Sequence, residues 1–140
     1  MHLKIITHDR VVFDEDVNEI YTRGVDGEFG VLKDHLPMMS ALDVGVTKVV
    51  QEKETKFFTT MGGVFQFKDN NAVILTDIAE LSDDIDVVRA KSAKERAEAR
   101  LADKKAAIDA HRAEAALARA KARLQAAISD KNSDFKSYEL

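Results

Sequence analysis

The sequence predicts an antiparallel β-sandwich or β-barrel followed by a helical hairpin, with the boundary near residue 84. Every glycine and the single proline lie before Val64, whereas the chain after Ala90 is rich in alanine, lysine, arginine and glutamate. The first half also contains short runs of branched and aromatic residues separated by turn residues, which is typical of antiparallel strands. We therefore expect a β domain over residues 1–84 and an α-helical domain over residues 85–140.

The composition restricts the classes of function. A chain of 140 residues is long enough for one domain, or for one domain with an appendage. The net charge of −4 argues against a general nucleic-acid binder, which needs a basic excess to neutralise phosphates. Cysteine is absent, which excludes disulfides and thiolate chemistry and fits a reducing cytoplasm. No apolar run approaches the roughly 20 residues of a membrane span, so we expect membrane association only through a partner.

Seven segments have the composition or the two-residue alternation of β-strands: residues 3–7, 11–13, 17–22, 45–51, 56–61, 65–68 and 72–76. Turn residues separate several of these segments, at 9–10, 52–55, 62–63 and 68–71. The last of these turns is the clearest, because asparagine tolerates the positive φ that a tight hairpin turn requires. This spacing of short strands favours a sandwich or a barrel.

Gly24, Gly27 and Gly30 are spaced three residues apart, and this spacing predicts a loop with unusual backbone angles. The spacing does not match the glycine fingerprint of a dinucleotide site. Turn geometry alone explains the glycines, and the functional alternative is an exposed loop that contacts a partner. In that alternative, Glu28 and His35 are the polar tips of the loop.

The second half has helical periodicity. Ser82 or Asp83 is the expected N-cap of a first helix, and the acidic residues that follow suit its positive end. An apolar stripe follows at three- and four-residue spacing: Ala90, Ala93, Ala97 and Leu101. Asp109 is the expected cap of a second helix with a similar stripe: Ala113, Leu117, Ala120, Leu124 and Ile128. Residues 129–134 are polar and are expected to fray.

The stripes of the two predicted helices are mostly alanine, so the helices bury little apolar surface. A buried methyl-sized group contributes only about 0.8 kcal/mol. We therefore expect the hairpin to dock marginally, as a movable arm would.

Neither a metal site nor a catalytic site is predicted. The four histidines are scattered and show no ligand spacing: His2, His8, His35 and His111. No base and nucleophile can be paired from their positions in the sequence, because such sets are recognised by geometry. The acidic pair Asp83-Asp84 fits a helix cap and solvated surface better than a general acid–base pair.

Two sets of three arginines can each share one face of a predicted helix: Arg89, Arg96 and Arg100 on the first, and Arg112, Arg119 and Arg123 on the second. One interpretation is a solvated surface paired with nearby glutamates: Glu95, Glu98 and Glu114. The other is an anion site, in which guanidinium groups from two facing helices clasp a triphosphate. In that site Asp86 or Glu80 accepts a hydrogen bond from a base or a ribose.

Four motifs follow one another along the chain: Asp26-Gly27-Glu28-Phe29-Gly30-Val31-Leu32 with His35 and Pro37; Gly62-Gly63-Val64; Ala79-Glu80 followed by Ile85-Asp86-Val87-Val88-Arg89-Ala90; and Arg112-Ala113-Glu114 with Leu117, Arg119-Ala120 and Arg123-Leu124. In this order and spacing they resemble the epsilon subunit of bacterial F-type ATP synthase over nearly the whole chain. The third motif matches the nucleotide motif of that family, Ile/Leu-Asp-x-x-Arg-Ala. One departure is Lys33, at a position where the family often has proline.

The resemblance implies an antiparallel β-sandwich of about ten strands followed by a C-terminal two-helix hairpin. It implies a non-catalytic rotor subunit that binds the gamma subunit and the c-ring. The subunit would lie on the cytoplasmic side of the cell inner membrane, attached only through the complex. In the family, the extended hairpin reaches the catalytic alpha/beta ring and inhibits ATP hydrolysis, and basic residues of the last helix meet acidic residues of the beta subunit.

The resemblance also implies that ATP is a regulatory ligand that favours the folded hairpin, with no cofactor required and no metal site. The ATP-site residues that it implies come from both sides of the boundary: Glu80, Ile85, Asp86, Arg89, Ala90, Arg96, Arg119 and Arg123. Glu28 and His35 fall in the loop that is expected to contact the c-ring.

Two other functions fit parts of the sequence. A small nucleotide-processing enzyme is disfavoured, because no phosphate loop, metal cluster or base–nucleophile pair is visible, and it would turn over ATP without partners. A free-standing adaptor would use the alanine-rich hairpin as a coiled coil with another protein, and would purify without ATP synthase subunits.

Overall fold

A computed structural model describes residues 1–103 and 110–136 of the chain. In these ranges, ten strands come first: β1 (His2–Ile6), β2 (Val11–Asp16), β3 (Glu19–Gly24), β4 (Gly27–Leu32), β5 (Met38–Ala41), β6 (Val44–Val50), β7 (Thr55–Met61), β8 (Val64–Lys68), β9 (Asn71–Leu75) and β10 (Ala79–Leu81). A one-turn 3₁₀ helix, Ser82–Asp84, leads to two helices, α1 (Val87–Ala102) and α2 (Ala110–Lys136).

The strands form two five-stranded sheets. Sheet A has the order β2-β1-β9-β8-β5, and sheet B has the order β10-β7-β6-β3-β4. Neighbouring strands are antiparallel except β1 and β9, which run parallel with His2 beside Asn71 and Ile6 beside Leu75. Two separate sheets make a sandwich rather than a barrel, so the predicted β-sandwich with a C-terminal helical hairpin is confirmed.

Large apolar side chains fill the space between the sheets. Phe58, Phe65 and Phe67 are fully buried there, and the ring of Phe58 meets the ring of Phe13 edge to face at 5.5 Å. The predicted alternation in β8 is confirmed, because Phe65 and Phe67 are buried while Gln66 between them is exposed. Among the described residues, this core cluster is built from the strands and their connections and includes no side chain of α1 or α2.

Three buried hydroxyl groups are connected within sheet B. The Oγ1 atoms of Thr22 and Thr47 are 2.8 Å apart, and those of Thr47 and Thr60 are 2.9 Å apart. All three side chains are buried. Each hydroxyl therefore has a hydrogen-bond partner, which offsets the free-energy cost of burying it.

The predicted glycine loop at 24–30 is wrong. β3 continues to Gly24 and β4 begins at Gly27, so only residues 25–26 form the turn of a tight hairpin. Gly27 has φ of +130°, as the turn requires. Gly30 lies within β4 opposite Tyr21, where a Cβ would come within 2.6 Å of the tyrosine ring. The three glycines therefore serve a hairpin rather than one open loop.

The predicted turn at 68–71 is confirmed. Asp69 and Asn70 have φ of 53° and 59°, as a two-residue hairpin turn between β8 and β9 requires.

The predicted cap at Ser82 or Asp83 is wrong, because α1 begins four residues later. Ser82 is buried in the 3₁₀ turn, where its carbonyl accepts a hydrogen bond from the Ile85 amide. Ile85 is extended, which interrupts the helix. Asp86 is the N-cap of α1, and its side chain accepts a hydrogen bond from the Arg89 amide at 3.1 Å.

Helix α2 covers the outer face of sheet B and packs against α1, β6 and β7. β7 is buried on both faces, since Phe57 and Met61 are buried on the side opposite the core. Where burial of the helix side chains is described, up to residue 131, the buried ones are alanines: Ala90 and Ala97 on α1, and Ala113, Ala120, Ala122, Ala126 and Ala127 on α2.

The predicted stripe of the second helix is correct only in part. Ala113 and Ala120 are buried, whereas Ile128 is 57% exposed. The difference arises because α2 contacts both α1 and sheet B, so its buried surface is wider than one stripe and shifted toward Ala126.

The predicted fraying at 129–134 is wrong, since α2 continues to Lys136. The expected cap Asp109 lies outside the described residues.

Candidate functional site

A groove lies where β10, the 3₁₀ turn, the start of α1 and the middle of α2 meet. Its volume is about 410 Å³, within the usual range for small-molecule sites. Nine residues line it: Glu80, Asp84, Ile85, Asp86, Arg89, Ala90, Ala93, Arg96 and Arg123. The groove thus combines one strand of the sandwich with both helices of the hairpin.

Seven of the eight residues predicted for the ATP site line this groove. The exception is Arg119, which is half-buried on α2 one turn before Arg123 and is not part of the lining. Arg100 and Arg112, the outer members of the two predicted arginine sets, are exposed and also lie outside the groove. Arginines of both helices nevertheless face one space, as an anion clasp requires.

The groove contains a bonded ion pair between the sandwich and the hairpin. Nε of Arg123 on α2 donates to Oε1 of Glu80 on β10 at 2.7 Å, and the two side chains are 28% and 34% exposed. The hydroxyl of Thr59 also donates to Oε1 of Glu80, at 3.3 Å. Glu80 therefore already has two partners on the protein, one of which is an arginine expected to hold phosphate.

Asp86 also has a structural role within the groove. Its carboxylate caps α1 through the Arg89 amide, and its carbonyl accepts from the Ala90 amide at 3.0 Å. Ala90 is buried, so a larger side chain there would push α1 away from its neighbours. The motif that was predicted to read a nucleotide therefore also determines where α1 begins and how it packs.

The formal charges in the groove balance. Three guanidinium groups face three carboxylates: Arg89, Arg96 and Arg123, and Glu80, Asp84 and Asp86. An entering polyphosphate would meet donors suited to its oxygens, and it would also meet acidic groups that oppose it at close range. The arrangement suits a ligand with an anionic part and a hydrogen-bonding part better than a bare anion.

The prediction from sequence missed three residues of this site. Ala93 lies on the predicted apolar stripe, and Asp84 was assigned to the helix cap. Thr59 lies 21 positions before Glu80, and only the β7–β10 register places the two side by side. No local pattern in the sequence indicates that contact.

The alternative of a solvated surface predicted an arginine partner for Glu98, and the ion pair that the structure describes for Glu98 is with a lysine instead. Oε1 of Glu98 lies 3.9 Å from Nζ of Lys94, an exposed pair one turn apart. Such pairs contribute little to stability.

Glu28 and His35 do not share one loop. Glu28 lies in β4 opposite Arg23, and the four steps from Glu28 to Leu32 span about 13 Å. His35 follows the other end of the strand, where its ring meets Phe67 edge to face at 5.9 Å. Both residues are exposed, at opposite ends of β4.

A second cluster of titratable groups lies at the edge of sheet A. The His2 ring is hydrogen-bonded to Asp16 at 2.8 Å and to Asp14. These bonds, first that to Asp16, raise the pKa of His2, and the bond from His2 lowers the pKa of the Asp14 carboxyl. Over residues 1–103 and 110–136, no group of three metal-ligating side chains is found, and no helix could span a membrane.

Two family models together match most of the chain. The model described as the ATP synthase Delta/Epsilon chain beta-sandwich domain matches residues 1–82, and the long alpha-helix domain of the same chain matches residues 83–127. The chain belongs to the ATP synthase delta/epsilon family. The resemblance to the epsilon subunit that the motifs predicted is confirmed.

Curated members of this family include close relatives. The ATP synthase epsilon chain of Desulforamulus reducens is 45% identical over 109 residues, covering 78% of this chain and 83% of that protein. The ATP synthase epsilon chain of Symbiobacterium thermophilum is 47% identical over 110 residues, covering 78% and 79%. The chain is therefore an epsilon-type subunit of ATP synthase, which disfavours a free-standing adaptor.

Two solved assemblies contain similar chains. One is the Euglena gracilis mitochondrial ATP synthase OSCP/F1/c-ring assembly, with a TM-score of 0.76, 27% identity, and coverage of 90% of this chain and 79% of that one. The other is the central stalk and c-ring of the Tetrahymena thermophila mitochondrial enzyme, with a TM-score of 0.59, 13% identity, and coverage of 90% and 95%. The second likeness supports the fold alone.

Proposed function

We propose that the chain is a non-catalytic central-stalk subunit of a bacterial F-type ATP synthase that couples the rotor and regulates ATP hydrolysis. The sandwich binds the gamma subunit and the c-ring, with Glu28 and His35 as the expected c-ring contacts. Catalysis belongs to other subunits, and the chain is held at the cytoplasmic side of the cell inner membrane only through the complex. Support comes from the bacterial epsilon-chain relatives and from the match to an F1/c-ring assembly.

The helical hairpin is the regulatory element of this proposal. The observation that carries it is the division between the sandwich core, which includes no described side chain of α1 or α2, and the alanine contacts of the hairpin. Each buried methyl contributes only about 0.8 kcal/mol, and departure of the hairpin also uncovers Phe57 and Met61 on the outer face of β7 but leaves the core closed. Extended, it reaches the alpha/beta ring, where its basic residues meet an acidic segment of the beta subunit and hydrolysis is inhibited.

ATP favours the folded hairpin in this mechanism. The groove exists only when β10, α1 and α2 are together, so a ligand that contacts all three binds only the folded state. A ligand shifts such an equilibrium by its difference in affinity for the two states. Arg89, Arg96 and Arg123 hold the phosphates, and Arg119 approaches them only if α2 turns slightly about its axis.

The test is calorimetric titration of ATP into the full chain and its variants. Arg89→Ala is expected to weaken binding by about ten- to a hundredfold, since a hydrogen bond to a charged group contributes about 1.5–3 kcal/mol. Arg100→Ala is the matched control, because Arg100 is on the same helix, is exposed and lies outside the groove. Equal affinities of the wild type and both variants would refute the site.

Asp86 needs a variant that keeps its cap. Asp86→Asn retains a capping side chain and removes the charge, whereas Asp86→Ala removes both. If Asp86 contacts the ligand, both variants weaken ATP binding. If only Asp86→Ala does so, the carboxylate acts through the helix start and not through the nucleotide.

A further inference from the structure

Glu80 and Arg123 connect the sandwich directly to the second helix. Their bond of 2.7 Å joins β10 to α2 across the groove, and both side chains are about two-thirds buried. Partial burial reduces solvent screening, so this pair is stronger than a pair on an open surface. Its atoms are brought together only when the hairpin is folded on the sandwich.

The position of Glu80 is determined by the sandwich. Thr59 is its cross-strand neighbour and is fully buried. The Thr59 hydroxyl lies 3.3 Å from Oε1 of Glu80, the same oxygen that accepts from Arg123. The carboxylate is therefore oriented toward α2 by sheet B, whether or not a ligand is present.

We infer that Glu80, positioned by Thr59, acts as a built-in anion that latches the hairpin to the sandwich through Arg123 when no nucleotide is bound. This inference rests on the proposed movement of the hairpin. It adds to that proposal because Glu80 and a bound phosphate compete for one guanidinium group. A nucleotide therefore replaces the latch rather than adding to it.

The expected size of the effect follows from the burial. An exposed ion pair contributes at most about 1 kcal/mol, and the partial burial of this pair places it near that upper value. A difference of that size is about fivefold in the ratio of folded to extended hairpins. Loss of the Thr59 hydroxyl is expected to lower the ratio by less than about fivefold, because its hydrogen bond to Glu80 lies within the sandwich in both states and only its effect on the orientation of Glu80 counts.

The experiment measures the distance between two fluorophores on the full chain without nucleotide. The chain has no cysteine, so Lys53→Cys on the β6–β7 connection and Lys121→Cys on α2, both at exposed positions, provide unique labelling sites. Glu80→Gln and Arg123→Gln are each expected to lower the folded-to-extended ratio about fivefold, and the double variant no further. Glu98→Gln, which breaks the Lys94 pair on α1, is the matched control and should change nothing.

Thr59 is tested as a positioning residue. Thr59→Val is expected to lower the ratio, and Thr59→Ser, which restores a hydroxyl, to recover most of it. In the Glu80→Gln background, Thr59→Val should have no further effect on the ratio. Circular dichroism of each variant checks that the sandwich and helices remain folded.

Three outcomes would overturn the latch: unchanged ratios in both single variants, additive losses in the double variant, or complete closure of every variant. Added ATP tests the nucleotide separately. Glu80→Gln should close again with ATP, because phosphate replaces the carboxylate, whereas Arg123→Gln should need about ten- to a hundredfold more ATP to close. If ATP closes neither variant nor the wild type, the proposed nucleotide site fails while the latch stands.

Discussion

Removal of the helical hairpin is the sharpest test of the two-part architecture. A chain that ends at Asp84 keeps every strand and the whole sandwich core, because that described core includes no side chain of α1 or α2. The truncation uncovers the outer face of β7, where Phe57 and Met61 are only 6% and 5% exposed in the full chain. We expect a folded but less stable sandwich.

The magnitude follows from those two side chains. Full burial of an aromatic or methionine side chain contributes about 1.5–3 kcal/mol, so uncovering both lowers the free energy of unfolding by about 3–6 kcal/mol. Because neighbouring strands still cover part of each side chain, this is an upper estimate. A domain of this size is stable by about 5–15 kcal/mol, which exceeds this upper estimate over most of its range, so we expect the truncated chain to remain folded at 25 °C.

Two measurements check the prediction. Urea unfolding followed by far-ultraviolet circular dichroism should show one cooperative transition at a lower midpoint than in the full chain. A second truncated chain with Phe57→Thr and Met61→Thr separates aggregation of the uncovered face from loss of folding, since threonine suits a strand and tolerates solvent. A truncated chain without cooperative unfolding in either form would refute the independence of the sandwich.

The same truncation tests regulation. An ATP synthase reconstituted with the truncated chain should bind it through the sandwich and hydrolyse ATP faster than the complex with the full chain. Equal hydrolysis rates at matched occupancy would contradict the inhibitory role of the hairpin.

Three further predictions concern single residues. Hydrogen bonds to Asp16 and Asp14 raise the pKa of His2, so protonated His2 stabilises the β1–β2 edge fully below about pH 6.5, and this stabilisation is lost as the pH rises through the folded-state pKa. The midpoint of urea unfolding should therefore fall between pH 5 and pH 9, and His2→Gln should remove this pH dependence. Gly63→Ala should destabilise by more than about 3 kcal/mol, because its Cβ would lie 1.9 Å from the Leu75 carbonyl oxygen at a φ of +105°; a midpoint within error of the wild type would contradict this. Asp86→Ala should destabilise α1 by about 1 kcal/mol and Asp86→Asn by much less, which amide hydrogen exchange of the first turn can measure; equal exchange would exclude the cap.

Much of the sandwich was predictable because its signals are local. Phe65 and Phe67 alternate with polar residues, and Asn70 supplies the backbone conformation of a two-residue turn. The glycines at 24–30 were misread because their spacing suits a loop, whereas Gly30 in fact gives space to the Tyr21 ring across a hairpin. That contact depends on strand pairing, which spacing alone does not indicate.

The residues of the candidate site were likewise predictable where the signal is local and were missed where it depends on long-range packing. The motif around Asp86 and the helical spacing of the arginines led to most of the groove residues. The exclusion of Arg119 depends on how α2 is rotated against sheet B, and the contact of Thr59 with Glu80 depends on the β7–β10 register. Both are properties of long-range packing, which no short stretch of sequence encodes.

The parallel pairing of β1 with β9 has a consequence for biosynthesis. β1 leaves the ribosome before the other nine strands described above, yet its neighbour toward the middle of sheet A is β9, about seventy residues later. Until β9 emerges, β1 and β2 can form only an isolated hairpin, which is marginally stable at best. Sheet A is therefore completed only late in translation, and such long-range strand pairing slows folding. The nascent chain carries an incomplete apolar sheet until most of the sandwich has been synthesised, and in that interval it is most exposed to aggregation.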